Sequence, residues 1–74
     1  MFIAIPEKDG TRYINRDNIN EYIVDEDNIV IFYKDDSTEI FNFKSAEIAE
    51  EVGESIAYCT SSVYVIDKDD LADE

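Results

Sequence analysis

The stretch that decides the fold runs from Ile29 to Phe43: IVIFYK (29–34), DDS (35–37) and TEIFNF (38–43). Two runs rich in β-branched and aromatic residues flank a short polar segment, which is the pattern of a β-hairpin with an acidic turn. The first run is apolar on both faces, as is typical of a strand in the centre of a sheet. The second run alternates and places Glu39, Phe41 and Phe43 on one face.

Further short strands surround this hairpin. An Asp9-Gly10 pair marks a tight turn between the first two of them. With the central hairpin included, the predicted strands are Met1–Ile5, Thr11–Asn15, Ile19–Asp25, Ile29–Lys34, Thr38–Phe43 and Ser62–Asp67.

One segment has the period of an amphipathic helix. Ser45 is a good N-cap, and the predicted helix runs from Ala46 to about Tyr58. Gly53 either weakens this helix by about 1 kcal/mol relative to alanine or lets it lie close to the sheet. The apolar stripe consists of Ile48, Ala49, Val52, Ile56 and Cys59. Glu47, Glu50, Glu51 and Glu54 fall on the opposite side.

The element order β-β-β-β-β-α-β predicts an α+β fold, with one domain over residues 1–67. We expect a twisted antiparallel sheet of five to six short strands with the helix on one face. The helix either crosses over so that the last two strands are parallel, or lets the last strand pair with Met1–Ile5 at an edge. Residues 68–74 are acidic and short of bulky side chains, so they are predicted to form a flexible tail.

The charge balance is extreme. Nineteen acidic residues face six basic ones, which gives a net charge of −13, while 45% hydrophobic residues argue against disorder. Nucleic acid and anionic lipid would both be repelled, so the sequence predicts neither a nucleic-acid ligand nor a membrane. The expected partner is a basic protein surface, such as that of a nucleic-acid-binding protein or complex.

Catalytic and metal-binding chemistry is poorly supplied. The chain has no histidine and one cysteine, Cys59, and no glycine-rich phosphate loop. Acid runs beginning at Asp25 or Asp67 fail the spacing of a calcium-binding loop. We therefore expect no enzyme activity, no metal and no cofactor. The lone cysteine and the lack of a recognisable signal peptide predict a cytoplasmic protein.

The acidic residues are grouped, and the groups are the candidate binding residues. They are the four helix glutamates Glu47, Glu50, Glu51 and Glu54, together with Asp25, Glu26, Asp27, Asp35 and Asp36. Such runs are either solvated faces that maintain solubility or a surface for a cationic partner. The helix lacks the lysines that would form i, i+4 pairs, which favours the second interpretation. Tyr58 is either a half-buried residue at the helix end or an anchor beside the acids.

One resemblance is carried by three segments: DGTRYINRDNI (9–19), DNIVI (27–31) and STEI (37–40). This pattern is similar to that of short β-rich flagellar-operon proteins of the swarming-motility type, over roughly residues 9 to 43. Arg16 stands where such proteins often have proline, and the last strand lies outside the pattern. The shared positions are turns and core positions, so the resemblance implies a fold more than a function.

A second resemblance is one of size and charge. The chain resembles small acidic phage-encoded inhibitors of the anti-CRISPR and anti-restriction type. It implies a DNA mimic that occupies the nucleic-acid-binding groove of a defence complex in the host cytoplasm. The alternative is a cytosolic adaptor or dimerisation module whose acidity serves solubility, and the exposed strand edges of a small sheet also allow a homodimer.

Overall fold

The computed structural model describes residues 1–72 and confirms the α+β class. Within these residues the strands are β1 (Phe2–Glu7), β2 (Gly10–Asn15), β3 (Ile19–Asp25), β4 (Asn28–Tyr33), β5 (Thr38–Asn42) and β6 (Val63–Val65). Helix α1 spans Ala46–Tyr58, as predicted. Two 3-10 helices, Arg16–Asn18 and Lys68–Asp70, complete the described chain.

The strands form two three-stranded sheets, so the prediction of one antiparallel sheet is wrong in this respect. The first sheet has the order β2-β1-β6 and the second the order β3-β4-β5. β1 pairs antiparallel with β2 and parallel with β6, whereas all pairs of the second sheet are antiparallel. The last strand therefore pairs with the first, which is one of the two predicted alternatives. The 3-10 helix Arg16–Asn18 lies between β2, which belongs to the first sheet, and β3, which belongs to the second.

The inner faces of the two sheets share one hydrophobic core with α1. The alternation of side chains along β1 and β4 sends Ile3, Ile5, Ile29 and Ile31 into this core. β4 lies in the centre of its sheet, as its apolar character predicted. The cluster consists of Ile3, Ile5, Ile14, Ile29, Ile31, Phe43, Ala49, Val52, Ile56 and Ile66.

The outward side of the first sheet, called the uncharged face below, has an unusual composition for this chain. The strand registers place eight residues on it, and none carries a charge. Val65 is 67% exposed and Tyr13 is 62% exposed, so this side is not covered by the domain itself. The residues are Phe2, Ala4, Pro6, Thr11, Tyr13, Asn15, Val63 and Val65.

Helix α1 is fixed at both ends and in the middle. Ser45 caps its first turn, because the Ser45 hydroxyl accepts a hydrogen bond from the Ile48 amide at 3.1 Å. Arg16 donates to the Ile56 carbonyl at 2.9 Å near the helix C-terminus, where a cation is favoured by the helix dipole. Between these ends, the Tyr22 hydroxyl donates to the Gly53 carbonyl at 2.8 Å.

Gly53 permits the close approach of α1 to β3. A Cβ atom at this position would lie 2.5 Å from Cγ2 of Val24, which is too near for any carbon pair. Val24 is β-branched and has little rotamer freedom with which to move away. Two roles were considered for Gly53. The structure shows the second of them, the close approach of the helix to the sheet.

The segment from Lys68 to Ala72 differs from the predicted flexible tail. Lys68–Asp70 form a 3-10 turn, and Leu71 packs against the core and forms a β-bridge with Phe43. The Ala72 amide donates to the Asn42 carbonyl at 3.0 Å. Apolar Leu71 explains the difference, because its burial ties the segment to the end of β5. Asp73 and Glu74, also assigned to the tail, lie outside the described residues.

Gly53→Ala should destabilise the domain by about 1–3 kcal/mol, although alanine is the better helix former, because the added methyl overpacks the contact with Val24. Urea denaturation would measure this change. A double-mutant cycle with Val24→Ala is the control: removing the valine methyls should relieve most of the cost. Additive effects of the two substitutions would contradict the assigned contact.

Candidate acidic binding surface

The four glutamates of α1 form one exposed surface, called the acidic helix face below. The opposite side of the helix buries Ala49, Val52, Gly53 and Ile56, so the 3.6-residue period turns every glutamate to solvent. The anchored helix holds the backbone of these residues in place. The face consists of Glu47, Glu50, Glu51 and Glu54.

No cation of the described chain neutralises the acidic helix face. Within residues 1–72, Arg12 and Glu39 form the one ion pair with nitrogen and oxygen closer than 4.0 Å. The helix sequence itself contains neither lysine nor arginine. Glutamates three and four positions apart therefore repel one another without compensation along the helix.

The two acidic turns lie at opposite ends of the second sheet. The turn of Asp25, Glu26 and Asp27 joins β3 to β4, and the turn of Asp35 and Asp36 joins β4 to β5. A six-residue strand separates them, which corresponds to about 20 Å. The structure therefore does not bring all the predicted acidic residues into one cluster.

Only the first of these turns lies near the start of the helix. The Asp27 carbonyl accepts a hydrogen bond from the Phe43 amide at 2.8 Å, and α1 begins three residues after Phe43. The helix then runs along β3, since Gly53 contacts both Val24 and Tyr22. The turn of Asp25, Glu26 and Asp27 therefore lies at the end of the second sheet from which the chain enters α1.

Asp35 has a structural role in its turn. Its carboxylate accepts hydrogen bonds from the amide and the hydroxyl of Ser37. These hydrogen bonds stabilise the ionised form and hold the pKa of Asp35 below its usual value. Asp36 lies beside it with a φ of 71°, a conformation that aspartate tolerates better than most residues.

Tyr58, at the end of α1, is 82% exposed. The domain does not bury it, so the interpretation as a half-buried residue is wrong. An aromatic ring that is free to bind lies on the same helix as the four glutamates, and aromatic residues are frequent anchors of protein interfaces.

Arg12 and Glu39 form a polar link between the two sheets that was not predicted from the sequence. Arg12 on the inner face of β2 donates to Glu39 on β5, through Nη1 to Oε2 and through Nη2 to Oε1 at 2.8 Å. The Tyr33 hydroxyl donates to the same carboxylate at 2.7 Å. Glu39 alternates with Phe41 on the core-facing side of its strand, and a carboxylate in that position needs a partner. The alternation of Glu39 with Phe41 could therefore have indicated from the sequence that Glu39 has a partner.

The link shifts the pKa of each of its members. The Arg12 hydrogen bond lowers the pKa of Glu39 against the opposing effect of burial, and Tyr33 lowers it further. Burial, followed by the hydrogen bond to Glu39, raises the pKa of Tyr33 well above its usual value. Glu39 therefore stays ionised, and its charge is used inside the domain rather than on the binding surface.

Within residues 1–72, no three acidic or cysteine side chains lie close enough together to hold a metal ion. In the same residues, α1 is too short and too polar to cross a membrane.

Glu39→Gln should destabilise the domain by about 1 kcal/mol at neutral pH, since Arg12 loses a charged partner and the pair is partly exposed. The pKa of Glu39 is lower in the folded state, so its stabilisation is present above the unfolded value of 4.5 and is lost as the pH falls through the folded pKa. The free energies of unfolding of the variant and the wild type, measured by urea denaturation, should therefore become equal in acid.

Glu51→Gln is the control for this pH dependence. It removes the same charge from an exposed residue that has no ion-pair partner within residues 1–72. It should cause no loss of stability at neutral pH. A Glu39→Gln deficit that is equally large in acid would contradict the assigned link.

Changing all four glutamates of the acidic helix face to glutamine should stabilise the domain at low salt by about 1–2 kcal/mol, because four repulsive pairs at i, i+3 and i, i+4 are removed. Each kcal/mol corresponds to a rise of about 4–8 °C in the melting temperature of a domain this small. The gain should shrink between about 0.02 and about 0.5 M NaCl, since salt screens exposed charges. Calorimetry that finds the same gain at both concentrations would show that repulsion is not the cause.

Comparison with known proteins gives no relative from which to transfer a function. No protein-family model, no curated protein and no solved structure matches this chain. What the chain does must therefore be inferred from its own surfaces.

Proposed function

We propose that this domain is a non-catalytic binding protein that uses the acidic helix face to engage a basic protein surface. The observation that carries the proposal is the uncompensated charge of that face. Four carboxylates project from one side of an anchored helix, and no cation of the described chain lies within 4.0 Å of them.

The charge density of this face is comparable to that of a nucleic acid. From Glu47 to Glu54 the helix rises about 10 Å, at about 1.5 Å per residue, so successive carboxylates are on average about 3.5 Å apart along its axis. A nucleic-acid duplex carries one charge per about 1.7 Å of its axis, and each of its strands one per about 3.4 Å. A surface that recognises phosphates with lysine and arginine would find a similar linear density here.

The binding energy would come largely from electrostatics. Association between opposite charges is fast and falls steeply with added salt. The anchored backbone lowers the entropic cost of presenting the four carboxylates together. Tyr58 would add an aromatic contact at the end of the helix, and the Asp25–Asp27 turn would add charge at its start.

The proposed target is the nucleic-acid-binding groove of a protein or complex in the cytoplasm, which the domain would block as a DNA mimic. A host defence complex is the specific proposal, on the basis of the resemblance in size and charge to anti-CRISPR and anti-restriction inhibitors. The net charge of −13 on 74 residues exceeds the magnitude of about 2–8 that solubility of a small domain requires.

A second candidate function is an adaptor or dimerisation module. The observation that favours it is the uncharged face of the first sheet, where Tyr13 and Val65 are exposed. In this alternative the acidic residues would serve solubility, and partner binding would not depend on salt or on the helix glutamates.

Two variants of equal charge separate these candidates. One changes the four residues of the acidic helix face to glutamine. The control changes four exposed acids on other elements to amides, namely Glu7→Gln, Asp9→Asn, Asp17→Asn and Asp69→Asn. Both variants have a net charge of −9 instead of −13.

Immobilised wild type should capture nucleic-acid-binding proteins from nuclease-treated lysate and release them on addition of duplex DNA or salt. The helix variant should lose most of this capture, whereas the control variant should retain it. Equal loss of capture in both variants would indicate that net charge alone causes the capture. Capture that resists both DNA and salt would favour the adaptor function. Either result would overturn the proposed mimicry.

A further inference from the structure

Strand β2 presents an unpaired edge to solvent. The Arg16 backbone amide donates to the Met1 carbonyl at 2.9 Å. With the register of β1 and β2, this makes Ile3 with Ile14 and Ile5 with Arg12 hydrogen-bonded pairs. The residues between them point their amides and carbonyls away from β1. These outward backbone groups belong to Thr11, Tyr13 and Asn15, of which the Asn15 carbonyl also caps the 3-10 helix Arg16–Asn18.

The other sheet edges of the described chain are less available. The end of β5 is covered by the segment around Leu71 and Ala72, and β6 has three residues only. β3 has an irregular register between Ile19 and Glu21, which interrupts its edge. Natural proteins protect edges by such means, whereas β2 offers six residues in regular register.

A groove of about 580 Å³ runs beside the edge of β2, and its charge differs from that of the rest of the domain. Its lining contains two cations, Arg12 and Lys34, and one anion, Asp35. Apolar surface is contributed by Tyr13, Ile14 and Tyr33. Because Arg12 is paired with Glu39, Lys34 and Asp35 leave the groove close to neutral in a chain whose net charge is −13.

The side of β2 that faces away from the core carries no acid. It is part of the uncharged face, in which Tyr13 pairs with Ala4 of β1 and Ala4 in turn pairs with exposed Val65 of β6. Two copies of a strongly acidic chain repel one another wherever their carboxylates meet. At the β2 edge, with its groove and the uncharged face, they can approach without that penalty.

We propose that a second copy of this chain binds here, with the two β2 strands pairing antiparallel around a two-fold axis at Tyr13. Thr11 of each copy pairs with Asn15 of the other, and Tyr13 pairs with itself, so all the outward backbone groups exchange hydrogen bonds. The same patch is used by both copies, as a two-fold interface requires. The two first sheets become one sheet of six strands with a continuous uncharged face.

The interface also fills part of the groove beside β2. In this register Ile14 of the second copy lies opposite Arg12 and adds apolar surface to the groove, while each Arg12 keeps its pairing with Glu39 of its own chain. The edge is short compared with a standard interface of about 800 Å² per partner. The dimer is therefore reversible, and its population rises with protein concentration and with salt.

Sedimentation velocity over a range of concentrations, at about 0.15 and about 0.5 M NaCl, tests the proposal. Wild type should shift from monomer to dimer, and the higher salt should strengthen the association. Tyr13→Glu places two like charges at the two-fold axis and should weaken dimerisation by at least about tenfold. Tyr58→Glu is the matched control: it adds the same charge at another exposed tyrosine and should leave the dissociation constant within about twofold of wild type.

Amide hydrogen exchange of the wild type provides a test that does not depend on a variant. Exchange of the Thr11, Tyr13 and Asn15 amides should slow as the protein concentration rises, while that of Asp36 and Glu47 should not. A wild type that stays monomeric under all these conditions overturns the proposal. So does a Tyr58→Glu variant weakened as much as Tyr13→Glu, or protection that appears elsewhere than on β2. None of these results bears on the acidic helix face, which belongs to a different part of the molecule.

Discussion

The close approach of α1 to β3 at Gly53 is the contact on which the rest of the structure depends. It brings the helix near enough to the second sheet for Ala49, Val52 and Ile56 to enter the core, and the first sheet closes that core from its other side. The same contact fixes which side of the helix faces solvent. The apolar side of the helix is buried against the sheets, so the glutamates on its other side form one exposed surface.

The arrangement of charge follows from how few cations the chain has. Arg12 joins the two sheets through Glu39, and Arg16 binds the carbonyl of Ile56 near the end of α1. Both arginines thus stabilise the domain from within and are not spread among the surface acids. The outward side of the helix carries four carboxylates without a cation among them, whereas the outward side of the first sheet carries no charge. These two surfaces suit partners of different chemistry.

Much of the fold could be predicted from local patterns, because those patterns have local causes. The cap at Ser45 and the period of the apolar residues defined α1 over Ala46–Tyr58, and the two apolar faces of β4 placed it in the centre of a sheet. The division into two sheets could not be predicted. Alternation in β1 shows which of its residues are buried but not which strands lie beside it.

The candidate site was predictable to a similar degree. Helical period alone indicated that the four glutamates share one face, and the structure places them there. The separation of the Asp25–Asp27 and Asp35–Asp36 turns follows from the reversal of direction in each hairpin. The link between Arg12 and Glu39 joins residues 27 positions apart, and its partner could be identified only once the sheets were known to face each other. The free edge of β2 depends in the same way on long-range pairing.

The parallel pairing of β1 with β6 has a consequence for the synthesis of the protein. β1 lies in the centre of its sheet, yet the strand on one of its sides begins at Val63. Such a non-local contact slows folding, because a long loop must close before the contact forms. On the ribosome, β1 emerges well before β6 and cannot complete its sheet until β6 has left the exit tunnel. A nascent chain that stalls before β6 would leave β1 exposed on that side, open to chaperones and proteases.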